Sequence, residues 1–364
     1  MSGSETATTA TIDVRSANAA HWRAMSPARL LDCGMSYADV VELQRRTGAD
    51  EPWDSACEQI GRRRLEEATV ARTAGHRVTA RHRFGGAAAS FLFAQMAFNH
   101  DGPRKAALYE RFDDAVALLG QVSESPVERL ELPFEAGALC GWYLAPAGRA
   151  VGTVIVFGGQ SGWGAAYLRH AAALGARGIA TVLAEGPGQG SSRLRHGVHL
   201  DVDVPSAFRV FVDEAMRRHH APVGIWGNSV GGLFAALTAA SDSRIRACCV
   251  NGGFAAPRLL PFRTFAEQAG AMLGTDDADA IEDNFARLRF DPATHRISGS
   301  LLVLHGGADP LVDLSDQQPF LEAADDATLR VWDDGDHTVY NHGDERNDEV
   351  ADWFADRFRE GRER

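Results

Sequence analysis

Val223-Gly224-Ile225-Trp226-Gly227-Asn228-Ser229-Val230-Gly231-Gly232-Leu233 is the stretch whose reading decides this chain. The apolar run Val223 to Trp226 has the length and composition of a buried strand, and the small residues from 230 to 240 suit a helix packed tightly on a sheet. Between them, Gly227-Asn228-Ser229-Val230-Gly231 puts a serine at a sharp strand-to-helix turn. Such a turn lifts the hydroxyl out of the sheet, and glycine two residues before and after lets the backbones pass closely. In a chain with 37 glycines the bare pentapeptide is weak, so its context carries the weight. Ser229 is therefore the candidate nucleophile, against the plainer reading of a Gly/Ser packing turn.

Working outward, strands alternate with helices from about residue 127 onward. Leu130 to Phe134 and Leu139 to Leu144 form a predicted hairpin around Glu135-Ala136-Gly137. Further strands are predicted at 153–157, 179–183, 223–226, 245–250, 301–304 and 329–332, with helices at 165–174, 204–218, 230–240 and near 348–358. Short Val/Ile/Leu-rich runs separated by helices imply a mostly parallel sheet covered on both faces. Residues 254–297 break the alternation and are expected to be a helical excursion over the sheet's carboxyl edge. Upstream, the first 16 residues read as a disordered tail and 17–123 as an N-terminal helical domain, leaving 124–364 as the catalytic domain. Within 84–98 the nearly uncharged helix carrying Phe91, Phe93, Met96 and Phe98 is apolar almost all round. That is the mark of a buried helix, whose aromatic face either packs the core between helices or in part lines a substrate pocket.

A serine hydroxyl is a poor nucleophile until a base takes its proton and a carboxylate orients that base. In this fold both partners follow the serine in sequence. Leu301 to Leu304 runs into His305-Gly306-Gly307-Ala308-Asp309-Pro310, which puts Asp309 on the loop leaving a core strand, as the orienting acid. Asp313 is its competitor. Leu329 to Trp332 runs into Asp333-Asp334-Gly335-Asp336-His337, where the base belongs. His305 reads as structural and His342 as solvated. The oxyanion needs preorganised N–H donors, expected from the amides of Val230 and of Gln160 in Phe157-Gly158-Gly159-Gln160-Ser161-Gly162. A phosphate-binding loop is the rival reading there, but no Gly-x-Gly-x-x-Gly is present and no lysine follows. Gly159, Trp163, Phe91 and Phe254 are the expected substrate contacts. Phe254, Phe262 and Phe265 suggest an apolar, aromatic ligand, with core packing as the equal alternative. Glu185-Gly186-Pro187-Gly188-Gln189-Gly190-Ser191 reads as a tight turn shaping the pocket floor, without direct chemistry.

Composition limits the partners. The chain has 364 residues, 45% hydrophobic and 24% charged, and a formal net charge of −12. This balance argues against nucleic acid or an anionic membrane as the main partner. Arg62-Arg63-Arg64 is the densest basic run, and it reads as a solvated helix surface. Five cysteines with no metal-ligand spacing suggest a reducing compartment, so cytoplasm is expected, with no metal and no cofactor.

The ordered set GGQSGW (158–163), EGPGQGSS (185–192), GNSVGG (227–232), HGGADPLV (305–312) and GDH (335–337) resembles the α/β-hydrolase superfamily over residues 127–360. The helical segment 71–119, with its Ala-Gly-His-Arg-Val-Thr-Ala-Arg run, resembles more narrowly one group within it. That group contains FrsA-like esterases, 2,6-dihydroxypseudooxynicotine hydrolase and fungal polyketide-shortening hydrolases. The resemblance implies an α/β-hydrolase fold with a helical cap, hydrolysis of a carbon–carbon bond beside a carbonyl in a small aromatic or polyketide-like metabolite, and a homodimer. The alternatives are an ester or thioester hydrolase with the same triad, and a binding protein that keeps the fold without catalysis. Residues 251–262 carry no carboxylate, so an acidic substrate contact of a relative in that segment has no counterpart here.

Overall fold

The computed structural model of the protein describes residues 13–201, 203–260 and 263–360. The expected tail over 1–16 falls mostly outside them; its end does not, because Asp13 caps a helix that already includes Val14 to Ser16. Six helices come first: α1 Val14–Ala24, α2 Pro27–Asp32, α3 Tyr37–Gly48, α4 Trp53–Thr73, α5 Arg77–Gln95 and α6 Pro103–Val122. Ser26 and Ser36 supply the side-chain caps of α2 and α3, and Pro27 occupies the first turn of α2, where its missing N–H costs nothing. The arginine run on α4 is not a solvated surface throughout. Arg64 is buried and grips Asp39 of α3 through Nε and Nη2, at 3.0 and 2.8 Å, and Arg63 reaches the same carboxylate at 2.9 Å. Three consecutive helical residues point around a helix, and two of them, Arg63 and Arg64, meet α3.

Then follow β1 Val127–Phe134, β2 Gly137–Leu144, β3 Gly152–Phe157, α7 Leu168–Ala176, β4 Ile179–Glu185, α8 Gly190–Leu194, α9 Val204–Arg218, β5 Val223–Asn228, α10 Val230–Ser241 and β6 Ile245–Asn251. The chain closes with α11 Arg263–Leu273, α12 Ala278–Arg287, β7 Ser300–Gly306, α13 Leu314–Glu322, β8 Ala327–Trp332 and α14 Gly343–Glu360. The strands form one eight-stranded sheet in the order β1-β2-β4-β3-β5-β6-β7-β8. β2 runs antiparallel to β1 and β4, while β4-β3-β5-β6-β7-β8 are parallel. This is the α/β-hydrolase arrangement.

One apolar core joins the N-terminal helices, α7 and α14 to one sheet face (Trp142, Val154, Val156, Trp226, Cys249). A second lies on the other face under α9, α10, α12 and α13. The helical segment therefore shares its core with the sheet. Phe84, Phe91 and Phe93 of α5 are fully buried, as an all-round apolar helix requires, and α5 stops before Phe98. The excursion 254–297 holds α11 and α12 and no strand among its described residues.

Candidate active site

β5 delivers Ser229 at its carboxyl end, and the turn is as tight as the sequence implied. A Cβ on Gly227 would lie 1.9 Å from the Gly231 carbonyl oxygen, so no other residue fits. Ser229 itself sits at φ 59° and ψ −132°, a conformation costing on the order of 1–3 kcal/mol for a residue with a Cβ. Its N–H donates to the Asn251 carbonyl at 2.8 Å, and the Gly232 N–H donates to the Ser229 carbonyl at 2.7 Å. Neighbouring backbone thus over-determines the strained turn.

The loops after β7 and β8 bring Asp309 and His337 to the same point. His337 Nε2 lies 2.9 Å from Ser229 Oγ, and His337 Nδ1 lies 2.8 Å from Asp309 Oδ2. The N–H groups of Leu311 and Val312 donate to Asp309 Oδ1 at 2.8 and 3.2 Å, which leaves the second oxygen for the imidazole. The Asp309 carboxylate accepts a hydrogen bond from Nδ1–H, so the lone pair of Nε2 faces the serine hydroxyl. Asp313, the alternative acid, is instead the N-cap of α13, its N–H held by Asp316. His305 is buried against Gln317, and His342 pairs with Asp334 and Glu345.

Gly159 faces the serine: a Cβ there would sit 3.1 Å from Ser229 Oγ. Val230 is the first residue of α10, where an amide has no acceptor within its own helix. Among the described residues no hydrogen bond within the protein occupies the amide of Val230 or of Gln160. Trp163 is buried, donates from Nε1 to the Gln160 carbonyl at 3.1 Å, and lines a recess with Gln160. Phe254 lines a different recess, with Phe265 and Leu311. Phe91 is elsewhere. Fully buried on α5, its ring packs on Gly61 of α4, because that face of α5 meets the helical core; Met96 and Phe98, past the helix end, are the residues of this segment that reach the recess beside Gln160. Phe262 lies outside the described residues.

The partners of several buried polar residues are not legible in the sequence. Gln189 is wholly buried; its Nε2 donates to the carbonyls of Gly158 and Gly159 at 2.7 and 3.0 Å, and its Oε1 accepts from the Gly186 N–H. A single amide thus ties the turn after β4 to the loop after β3. Glu185 anchors the same turn by accepting from the Ser191 N–H at 2.7 Å and from the Tyr109 hydroxyl. Burial and the nearby Asp113 push its carboxyl up to about 7. Arg346 of α14, fully buried, donates to the Thr338 carbonyl at 2.9 Å and to both oxygens of Asp32 on α2 at 2.9 Å. From the same short helix, Arg29 reaches Ser161 at 2.9 Å. A buried Gln or Arg has no periodic signature, so only the partners reveal such residues.

No family model matches the chain. It is similar to the 2,6-dihydropseudooxynicotine hydrolase of Paenarthrobacter nicotinovorans, 27% identical over 340 residues that cover 90% of each chain. It is also similar to the hydrolase ORFZ of Pyricularia oryzae, 30% identical over 59% of this chain and 56% of that one. Among solved structures, the 2,6-dihydroxy-pseudo-oxynicotine hydrolase superposes with a TM-score of 0.83 at 25% identity, covering 92% of this chain and 96% of the other. On these likenesses the protein is an α/β-fold hydrolase. Among the described residues no helix is long and apolar enough to cross a membrane.

Proposed function

We propose that the protein hydrolyses a carbon–carbon bond beside a carbonyl in a small aromatic or polyketide-like ketone. Ser229 is the nucleophile, His337 the general base and acid, and Asp309 the orienting acid. The observation that carries this reading is the unbroken hydrogen-bond chain from Asp309 through His337 to Ser229. The extended likeness to a hydrolase of 2,6-dihydropseudooxynicotine supports the substrate class.

In the proposed reaction Ser229 Oγ attacks the ketone carbon while His337 Nε2 takes the hydroxyl proton. The new oxyanion accepts from the amides of Val230 and Gln160. Collapse breaks the carbon–carbon bond, and the electron pair leaves on the departing carbon as an enolate or stabilised aryl carbanion. The imidazolium protonates that carbon. His337 then activates water, which attacks the acyl-serine and releases a carboxylic acid. The substrate is a small molecule, and the five free cysteines support a reducing compartment, the cytoplasm.

The deciding experiment offers the enzyme an acylphenol, a β-diketone and a short aryl ester in heavy-oxygen water. Turnover of a ketone, with one heavy oxygen in the acid released, is expected. Rapid ester turnover with both ketones inert would replace the proposal with an ester or thioester hydrolase using the same residues.

Gln189 offers a separate test of the oxyanion loop. Gln189→Leu removes both bonds to the Gly158 and Gly159 carbonyls and frees the loop that carries Gln160. A displacement near 1 Å costs about 10²-fold in rate, so kcat is expected to fall by about that factor with KM changing little. Steady-state kinetics with an unchanged circular dichroism spectrum checks it.

A further inference from the structure

Beside the Gly158–Gly162 loop, where the helical segment meets the sheet, lies a recess of about 10 Å³, room for roughly one water molecule or one ligand oxygen. Met96, Phe98, Lys105, Gln160, Trp163 and Arg193 line it, so it begins one residue from Gly159 and its contact with Ser229. Its walls hold two cations that are almost wholly buried, Lys105 and Arg193, each 4% exposed.

Their charges are poorly matched from within. Arg193 engages Asp101 at 3.0 Å and the Gly188 carbonyl at 2.9 Å, and its Nε has no partner among the described residues. Lys105 donates to the Phe98 carbonyl at 2.6 Å and, among the described residues, has no carboxylate within ion-pair distance. Both cations sit over the Trp163 ring, 5.3 and 4.9 Å from its centroid, a partial compensation through the ring quadrupole. Gln160 adds a buried side-chain Nε2 without a partner among the described residues. One carboxylate for two buried cations is an expensive arrangement for packing alone, because an uncompensated buried charge is destabilising. It also stands out in a chain whose net charge is −12.

We infer that Lys105 and Arg193, with the side-chain amide of Gln160, form a subsite for an anionic oxygen of the substrate, carried on a planar group that Met96, Phe98 and Trp163 flank. The chemical class is a carboxylate or an ionised phenol or enol. The inference rests on the proposed hydrolase reading only for the word substrate; the subsite itself is a binding site and is tested as one. The recess is narrow, so it takes the charged oxygen while the remainder of the molecule extends along the loop toward Ser229.

The Lys105 ammonium adds a signature. Burial, then the charge of Arg193, pulls it down to about 7 against the opposing pull of Asp101. The other titratable groups around the subsite are Tyr109 on α6, His100 before that helix, and Glu267 on α11, the last bonded to Asn99 at 2.8 Å. An anion favours the protonated amine, so its affinity is greatest below about 7 and declines as the pH rises above that value, where binding requires proton uptake.

Calorimetric titration of Ser229→Ala protein with benzoate, 4-nitrophenolate and benzamide tests this without turnover, so failure of the hydrolase reading leaves the result interpretable. At least one anion is expected to bind about tenfold or more tighter than neutral benzamide, and the tighter anion identifies the class. Lys105→Met, which keeps the apolar stem, should erase that preference, and Lys105→Arg should restore it. On the unsubstituted lysine, the affinity for benzoate, which is ionised throughout, should fall between pH 6 and 9 while benzamide stays flat. Equal binding of anion and amide, no anion binding at millimolar concentration, a preference that survives Lys105→Met in a folded protein, or a flat pH profile each overturns the proposal.

Discussion

Ser229→Ala is expected to lower kcat by at least about 10⁴-fold on any substrate the enzyme turns over, with the fold intact. On the proposed assignment, removing the nucleophile leaves only the assistance of the oxyanion donors and binding, and losses of this size follow. The substitution keeps a Cβ at φ 59°, so the turn's strain is unchanged and the thermal midpoint should move little. Ser229→Gly relieves that strain and should melt higher than Ser229→Ala while remaining as inactive. A fluorophosphonate probe should label the wild-type protein and neither variant. Full activity in Ser229→Ala would refute the assignment, and failure of the wild type to take the probe would point to a binding protein that keeps the fold.

Asp32→Ala is expected to destabilise the protein by about 3–5 kcal/mol, the usual consequence of stranding one member of a buried ion pair. Arg346 is fully buried, and Asp32 is 4% exposed. Without Asp32 the guanidinium keeps, among the described residues, the carbonyls of Thr338 and Val339 and the side chain of Asn347. Thr338 and Val339 follow His337 directly and both sit at positive φ, 59° and 60°, so the arginine steadies a strained loop that presents the imidazole. Activity should therefore fall along with stability. Urea unfolding measures the first, and a double-mutant cycle tests the pairing. Asp32→Leu with Arg346→Met should cost much less than the sum of the single changes, because no charge is then left buried and unpaired. Additive losses would mean that the pair contributes nothing as a pair.

Strand positions were legible because strands buried on both faces must be continuous apolar runs, and runs such as Leu301 to Leu304 stand out against their loops. Boundaries were less so. β5 runs on through Asn228, and α14 begins at Gly343, five residues before the predicted start. α13 carried no strong periodicity and was not anticipated. Ser229, Asp309 and His337, the residues of the proposed triad, stand out in the sequence because each follows a strand at its carboxyl end, where glycine and aspartate mark the loops. Phe91 was misleading because an aromatic face looks alike whether it meets a ligand or the next helix. The arginine run was misleading for a related reason: each of its members finds a carboxylate, and local charge density does not tell which of them is buried with its partner.

Sequence alone determined the order of elements, the strand-turn-helix around Ser229, and the residue types able to perform acyl chemistry. These are local properties, written in periodicity and in the few residues that tolerate a tight turn. Tertiary structure alone decided the rest: that Arg346 meets Asp32 from the opposite end of the chain, that Gln189 clamps the loop beside Gly159, and that Lys105 and Arg193 converge on Trp163. Each is a contact between segments distant in sequence, and a buried polar side chain is stabilised only by its particular partner, whose identity no local pattern encodes.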